Sequence, residues 1–372
     1  MRQKHSMLNK TYLSNNSILV IGGTGVIGSA FINYIKKNKD VTCISISRKT
    51  EIETTKTSYF TIDLQSFNKN INLDISYINK LSKVTHVLYS AYSDADTITN
   101  IRTINNNLFK NTLSLINRYC PSTEHITLLQ GMKAYGSHLG HHKTPSQESD
   151  QRTREKNFYY DQEDYLKKNS KKVKYNWTIL RPHAVIGPKI GTPMNLLMFI
   201  AVYANICKFQ NLPLIFPGPL LASKYIYQAT DSNILAKAIE WAGTSKNTVN
   251  QIYNITNGDY FRWEHMWPKI AQYFEMDYSF KNNFRILDGI ENYFDDVDNI
   301  WKRISKKEHL IISDLNQLIS FKFANYVFNI DWDVMADTTK AREAGFNEFI
   351  NSEKMFVKKF NELKLLNIIP SS

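Results

Sequence analysis

Cysteine is scarce in this chain, with 3 among 372 residues. Cys43, Cys120 and Cys207 stand far apart in apolar surroundings without metal-ligand spacing, so a disulfide framework is excluded and reduced thiols in a cytoplasmic protein are expected. Long apolar runs are missing as well. The most apolar stretch, Met194 to Phe209, is interrupted by Asn195 and Asn205 and is shorter than the roughly 20 residues a membrane-spanning helix needs, so it reads as a buried or pocket-lining helix. No apolar segment follows the charged start Met1-Arg2-Gln3-Lys4 before the first strand, and no signal peptide is expected. His125, His138, His141 and His142 have no second cluster of ligand residues, so no metal site is expected. There is also no arginine-rich arm. Lys and Arg number 46 against 34 Asp and Glu, a net charge of +12, but the lysines fall in short clusters such as Lys36-Lys37, Lys167-Lys168 and Lys171-Lys172. These read as solvated faces, and neither nucleic acid nor a membrane is an expected partner.

What is present is enough apolar residue, 42% with 13% aromatic, to bury a sizeable core, in a length that suits one large α/β domain with an appended lobe or two domains. The most informative stretch is Ser17 to Ala30. Four aliphatics, Ile18 to Ile21, predict a strand buried on both faces, and Gly22, Gly25 and Gly28 follow at G-x-x-G-x-x-G spacing before an amphipathic helix. Glycine is needed there because a Cβ would block the tight turn, the approach of backbone N–H groups to a pyrophosphate, and close packing of helix on strand. The helix N-terminus favours the phosphate charge. This is a dinucleotide-binding turn, built from Gly22, Thr24, Gly25, Val26, Ile27 and Gly28.

Further strands are expected over 41–47, 59–64, 85–91, 125–130 and 177–188, with helices near 101–119 and 157–170. The second strand ends in Arg48 and Lys49, a basic pair suited to the 2′-phosphate of NADP where an acidic residue would bind the ribose hydroxyls of NAD. Asp63 and Leu64 close the third strand, where a carboxylate can meet the adenine or simply make a turn. Ser90 and Ala91 end the fourth strand, and Pro182 and Val185 lie towards the nicotinamide end of the sixth. Beyond Pro188 the alternation gives way to helices with short strands at 214–217 and 251–254. The expected fold is α/β, a Rossmann-type doubly wound parallel sheet with a smaller, mostly helical C-terminal substrate lobe. Residues 1–16 read as a mobile tail, 17–188 as the NADP-binding domain and 189–372 as the substrate lobe, packed as one body because no low-complexity linker separates them.

In short-chain dehydrogenases a tyrosine hydroxyl polarises the substrate oxygen, and a lysine four residues later lowers the tyrosine pKa. Here Tyr159 and Tyr160 stand at the expected place, but the positions four on are Glu163 and Asp164. The tyrosines are then packing residues, or the protein is a non-catalytic NADP-binding regulator, or Lys133 at the end of the fifth strand supplies the cation instead. Phe199, Tyr203, Phe328 and Trp332 are candidates for a pocket wall or for core.

Several motifs carry a more specific likeness: His125-Ile-Thr-Leu-Leu-Gln-Gly-Met-Lys-Ala-Tyr135, Asn157-Phe-Tyr-Tyr-Asp-Gln-Glu-Asp164, Arg181-Pro-His-Ala-Val-Ile-Gly187, Phe216-Pro-Gly218 and Tyr253-Asn-Ile-Thr-Asn-Gly-Asp-Tyr-Phe-Arg-Trp263. From about Ser17 to Pro370 the chain resembles the progesterone 5β-reductase and iridoid synthase family of atypical extended short-chain reductases. The resemblance implies NADPH-dependent 1,4-reduction of an enone or enal, with Lys133 and Tyr159 in the places of the family's catalytic lysine and tyrosine and Arg48-Lys49 on the 2′-phosphate. Two motifs depart from the family pattern. Gly131-Met-Lys-Ala-Tyr135 stands where Gly-Arg-Lys-His-Tyr is common, and Ser90-Ala-Tyr92 has tyrosine where tryptophan is usual. The expected partner is a small apolar enone or enal, and a homodimer is left open. The competing function is an extended short-chain epimerase or dehydratase acting on a nucleotide sugar.

Overall fold

Ser17–Ile21 form strand β1, buried along its whole length, as four aliphatics require when both faces of a sheet are covered. The computed structural model describes residues 17–37, 41–48, 54, 56–67, 72–287 and 296–371. The N-terminal segment 1–16 and Lys49 lie outside the described residues. Beside β1 stand β2 (Thr42–Ser47), β3 (Thr57–Thr61), β4 (Val84–Tyr89), β5 (His125–Leu129) and β6 (Asn176–Pro182). Two-residue strands follow: β7 (Val185–Ile186), β8 (Leu214–Ile215), β9 (Ile226–Tyr227) and β10 (Thr230–Asp231). β11 (Gln251–Ile255) then returns to the main sheet and pairs with β6. The sheet has seven strands in the order β11-β6-β5-β4-β1-β2-β3, all parallel.

One expectation holds here and one changes. Regular pairing of the strand expected over 177–188 stops at Pro182, as expected of a residue that lacks the N–H a continuing ladder would use, and Val185–Ile186 pair with β10 outside the main sheet. The short strand expected over 251–254 is the sheet's outer strand. Its crossover is α6 (Ser232–Thr244), so the sheet layer draws on residues well past 188.

Helices cover both faces. On one, Leu19, Ile21, Ile44 and Ile46 share a core with α2 (Ile75–Leu81), α3 (Ile98–Tyr119) and α4 (Phe158–Val173). On the other, Ile18 and Val20 pack under α1 (Val26–Ile35) and α6. A third core is centred on α5 (Leu196–Phe209), buried from Leu196 to Cys207, as a helix apolar all round must be. Around it lie α7 (Trp263–Tyr273), α8 (Val297–Lys307), α9 (Phe321–Phe328) and α11 (Ser352–Leu365), the short α10 (Thr339–Glu343) preceding α11. Phe199, Tyr203 and Phe328 belong to this core and not to a pocket wall. Trp332 packs by Met132 and Tyr135 and donates its indole N–H to the Ser137 carbonyl at 3.0 Å.

The Asn257-Gly-Asp259 motif ties this body to the sheet. Asn257 accepts from the Asp231 N–H at 2.6 Å and donates to the Ser352 hydroxyl at 3.1 Å, while Asp259 accepts from the Ser352 N–H and hydroxyl at 2.8 and 2.6 Å. No described helix is long and apolar enough to cross a membrane.

Candidate active site

The strand order reverses between β1 and β4, and in doubly wound sheets that reversal opens a crevice at the carboxyl ends of the strands. A cleft of about 1120 Å³ lies there. Its first wall is the glycine turn. Gly22 has φ +83°, and a Cβ on it would meet the Ala91 backbone at 2.9 Å. A Cβ on Gly28 would come within 2.4 Å of the Gly22 carbonyl oxygen, so this glycine allows α1 to sit on the strand and does not itself line the cleft. Gly23, not anticipated, packs as tightly against Ser45. Gly25 caps α1 with no side-chain hydrogen bond and no acidic residue in the first turn, which leaves first-turn amides available to an anion. This cradle fits a dinucleotide pyrophosphate.

The other sequence candidates distribute around the same space. Gly22, Thr24, Gly25, Val26 and Ile27 line it at the turn, Arg48, Asp63 and Leu64 line it beyond β2 and β3, and Ser90, Ala91, Pro182 and Val185 line it along the strand ends. The Ser90 hydroxyl donates to the Ile21 carbonyl at 3.0 Å. Asp63 makes a local turn, accepting from the Gln65 N–H and the Ser66 hydroxyl at 3.0 Å each.

Tyr159 and Lys133 share the cleft wall, held by one residue. Asn157 caps α4 by accepting from the Tyr159 N–H at 3.0 Å, and its amide donates to the Lys133 carbonyl at 2.7 Å. Gln130 fixes the next point by donating to the Tyr159 carbonyl at 2.8 Å. A Cβ added to Gly131 would lie 3.5 Å from the Tyr159 hydroxyl, which places that hydroxyl at the end of β5. It makes no hydrogen bond with the described residues. The neighbouring tyrosines are committed elsewhere. Tyr160 donates to the Ala134 carbonyl at 2.8 Å and accepts from the Thr153 N–H at 3.0 Å, and Tyr135 donates to Asn254 Oδ1 at 2.6 Å.

Burial pushes the Tyr159 phenol up, and the Arg181 guanidinium opposes that rise. Burial lowers the Lys133 ammonium, against the pull of Asp94. Position 163, where a short-chain dehydrogenase would carry its lysine, instead holds an acid that recruits cations. Glu163 pairs with Arg181 at 3.0 Å, both about 5% exposed, and with Lys167 and Arg152 at 2.6 and 3.1 Å. Burial raises this carboxyl, but Lys167, Arg181 and Arg152 together hold it below its usual range. Arg181 also donates to Gln130 at 3.1 Å, so the pair braces the residue that positions Tyr159. Glu163 stands four residues after Tyr159, a spacing that marks this acid in the sequence.

Sequence reasoning placed the opposite wall after residue 188 and reached Met194, but not the rest of its residues. Lys189 to Met194, Tyr227, and Phe323, Tyr326 and Val327 of α9 close the cleft, and the Lys133 ammonium lies 5.9 Å from the Tyr326 ring centre. The i, i+3, i+4 spacing of the α9 residues marks a helix face but not what it faces.

Comparison with known proteins separates fold from family. Among solved structures the chain resembles UDP-glucose 4-epimerase from Thermotoga maritima with UDP-glucose (TM-score 0.65, 14% identity, 94% of this chain and 99% of that one). It also resembles UDP-glucuronic acid 4-epimerase from Bacillus cereus in complex with UDP-glucuronic acid and NAD (TM-score 0.65, 12% identity, 94% and 99%). At those identities the likeness is one of fold. Closer in sequence are (S)-8-oxocitronellyl enol synthase of Antirrhinum majus, 30% identical over 80% of this chain and 78% of that protein, and 3-oxo-Delta(4,5)-steroid 5-beta-reductase of Arabidopsis thaliana, 29% identical over 79% and 77%. The model of the PRISE-like Rossmann-fold domain matches residues 53–370, and the chain belongs to that family.

Proposed function

We propose that this chain is an NADPH-dependent reductase of activated carbon–carbon double bonds in enones or enals. One observation carries the reading: of three tyrosines near the ends of β5 and β6, Tyr159 alone leaves its hydroxyl unengaged in the cleft, on the wall that also carries Lys133. Residues 17–188 supply most of the nucleotide side, and residues from 189 onward supply most of the substrate wall.

NADPH, when bound, supplies the hydride. The glycine turn and first-turn amides of α1 receive its pyrophosphate, and Arg48, at the end of β2, receives the 2′-phosphate. Tyr159 donates a hydrogen bond to the substrate carbonyl oxygen, and the Lys133 ammonium adds positive charge at the same oxygen. Both matter most when that oxygen becomes an enolate, because preorganised donors stabilise charge as it develops. Asn157 and Gln130 hold the donor in place. Proton delivery to the α-carbon is left to solvent.

The test follows NADPH absorbance with enones, enals and nucleotide sugars. Oxidation with enones or enals is expected. Conversion of a nucleotide sugar with no enone or enal activity would overturn the reading in favour of an epimerase or dehydratase.

A further inference from the structure

The mostly apolar cleft carries, near Lys133, polar side chains that an apolar enone would leave unused. Tyr92 and Asp94, in the loop after β4, both line it, and the Tyr92 hydroxyl donates to Asp94 Oδ1 at 3.1 Å. Asp94 Oδ2 has no hydrogen-bond partner among the described residues. The loop that presents them is pinned. Asn105 of α3, fully buried, accepts from the Ser93 N–H at 2.9 Å and donates to the Ser93 carbonyl at 2.7 Å. Gln65 donates to the Ser93 hydroxyl at 3.0 Å. Residues 92 and 94 flank this clamp, so the backbone that presents the carboxylate is held, and the Tyr92 hydroxyl adds one bond to the side chain itself.

Asp94 and Tyr92 are both exposed in the open cleft, so water serves the free carboxylate oxygen there. A substrate that covers Asp94 has to replace that water with a hydrogen-bond donor of its own. An ammonium group would meet repulsion from Lys133 in the same cleft, and a second carbonyl has nothing to donate. A hydroxyl satisfies both conditions. We infer that the substrate of this chain is an α,β-unsaturated aldehyde or ketone that also carries a hydroxyl group, which donates to Asp94 while Tyr92 holds the carboxylate in place. The inference rests on the reductase reading and gives it a substrate class. It also gives the tyrosine at position 92 a role, as the donor that orients the Asp94 carboxylate.

The experiment compares trans-nonenal with its γ-hydroxy and terminally hydroxylated derivatives, by NADPH oxidation, in the wild type and in Asp94→Ala and Tyr92→Phe. A charge-assisted hydrogen bond to a substrate hydroxyl is expected to give the wild type at least about a tenfold higher kcat/KM for one hydroxylated enal over nonenal. Both variants should bring that ratio close to unity. Equal turnover of all three enals by the wild type would overturn the inference while leaving the reductase reading intact. So would an Asp94→Ala enzyme that slows all three by one common factor, since Asp94 would then serve Lys133 and not the substrate. No oxidation with any of the three, or with any other enone, would overturn the reductase reading and this inference with it.

Discussion

Replacing Tyr159 by Phe removes one oxygen that bonds to nothing in the described protein, so the fold should hardly register the change. Catalysis should. The loss of one preorganised oxyanion donor typically costs about 10²–10³-fold in kcat, or roughly 2.7–4 kcal/mol of transition-state stabilisation. Tyr160→Phe inverts the pattern. Its hydroxyl bridges the Ala134 carbonyl and the Thr153 N–H, and leaving buried partners unsatisfied costs roughly 1–3 kcal/mol of stability, with kcat close to normal. The assay pairs steady-state kinetics on an enone with urea unfolding of each variant and calorimetric titration of NADPH, whose affinity should stay within a few fold in both. A Tyr159→Phe enzyme of near-normal rate, with Tyr160→Phe or Tyr135→Phe inactive but folded, would refute the assignment.

Three further outcomes are expected. Arg48→Glu should reduce or reverse a preference of at least about tenfold for NADPH over NADH, since a charge-assisted phosphate contact is worth roughly 1.5–3 kcal/mol; equal affinities for both cofactors in the wild type would count against it. Lys133→Met should damage turnover, and combining it with Tyr159→Phe should cost less than the product of the single effects if both act on one oxygen; strict multiplicativity in the double-mutant cycle would mean they do not. His125, opposite His86 in the β4–β5 ladder, is buried, and burial with the neighbouring His86 lowers its pKa to about 3. It stays neutral in the fold while the unfolded chain takes up a proton below about pH 6.5, so its contribution is complete above that pH and is lost as pH falls towards 3, at about 1.4 kcal/mol per pH unit. His125→Leu should therefore flatten the loss of unfolding free energy between pH 6.5 and pH 5, and an unchanged slope would contradict the assignment.

The first strand, turn and helix were legible because glycine spacing and buried aliphatics have few other uses in that order. The five strands that follow in the first half came from the same alternation, with ends misplaced by one to a few residues where the apolar pattern runs on past the ladder, and with the stop at Pro182 legible from the missing N–H. β11 looked like an isolated short strand, since its membership of the sheet depends on a pairing with β6 made across some seventy residues. The cleft wall opposite Tyr159 was the least legible. Phe199, Tyr203 and Phe328 stand at helical spacings that serve a core as well as a pocket, and only tertiary packing separates them from Phe323 and Tyr326, which face the cleft. The reciprocal clamp of Asn105 on Ser93 left no signal in composition, because an asparagine in the middle of a helix more often faces solvent.

Asn157 holds the backbone of Tyr159 and the backbone of Lys133 together, through a single bond to each. The cap of α4 and the tether between the two segments are therefore one side chain. A change at Asn157 uncaps α4 and releases Lys133 in the same step, whereas the 189–194 segment and α9, on the other side of the cleft, can be altered without touching that tether.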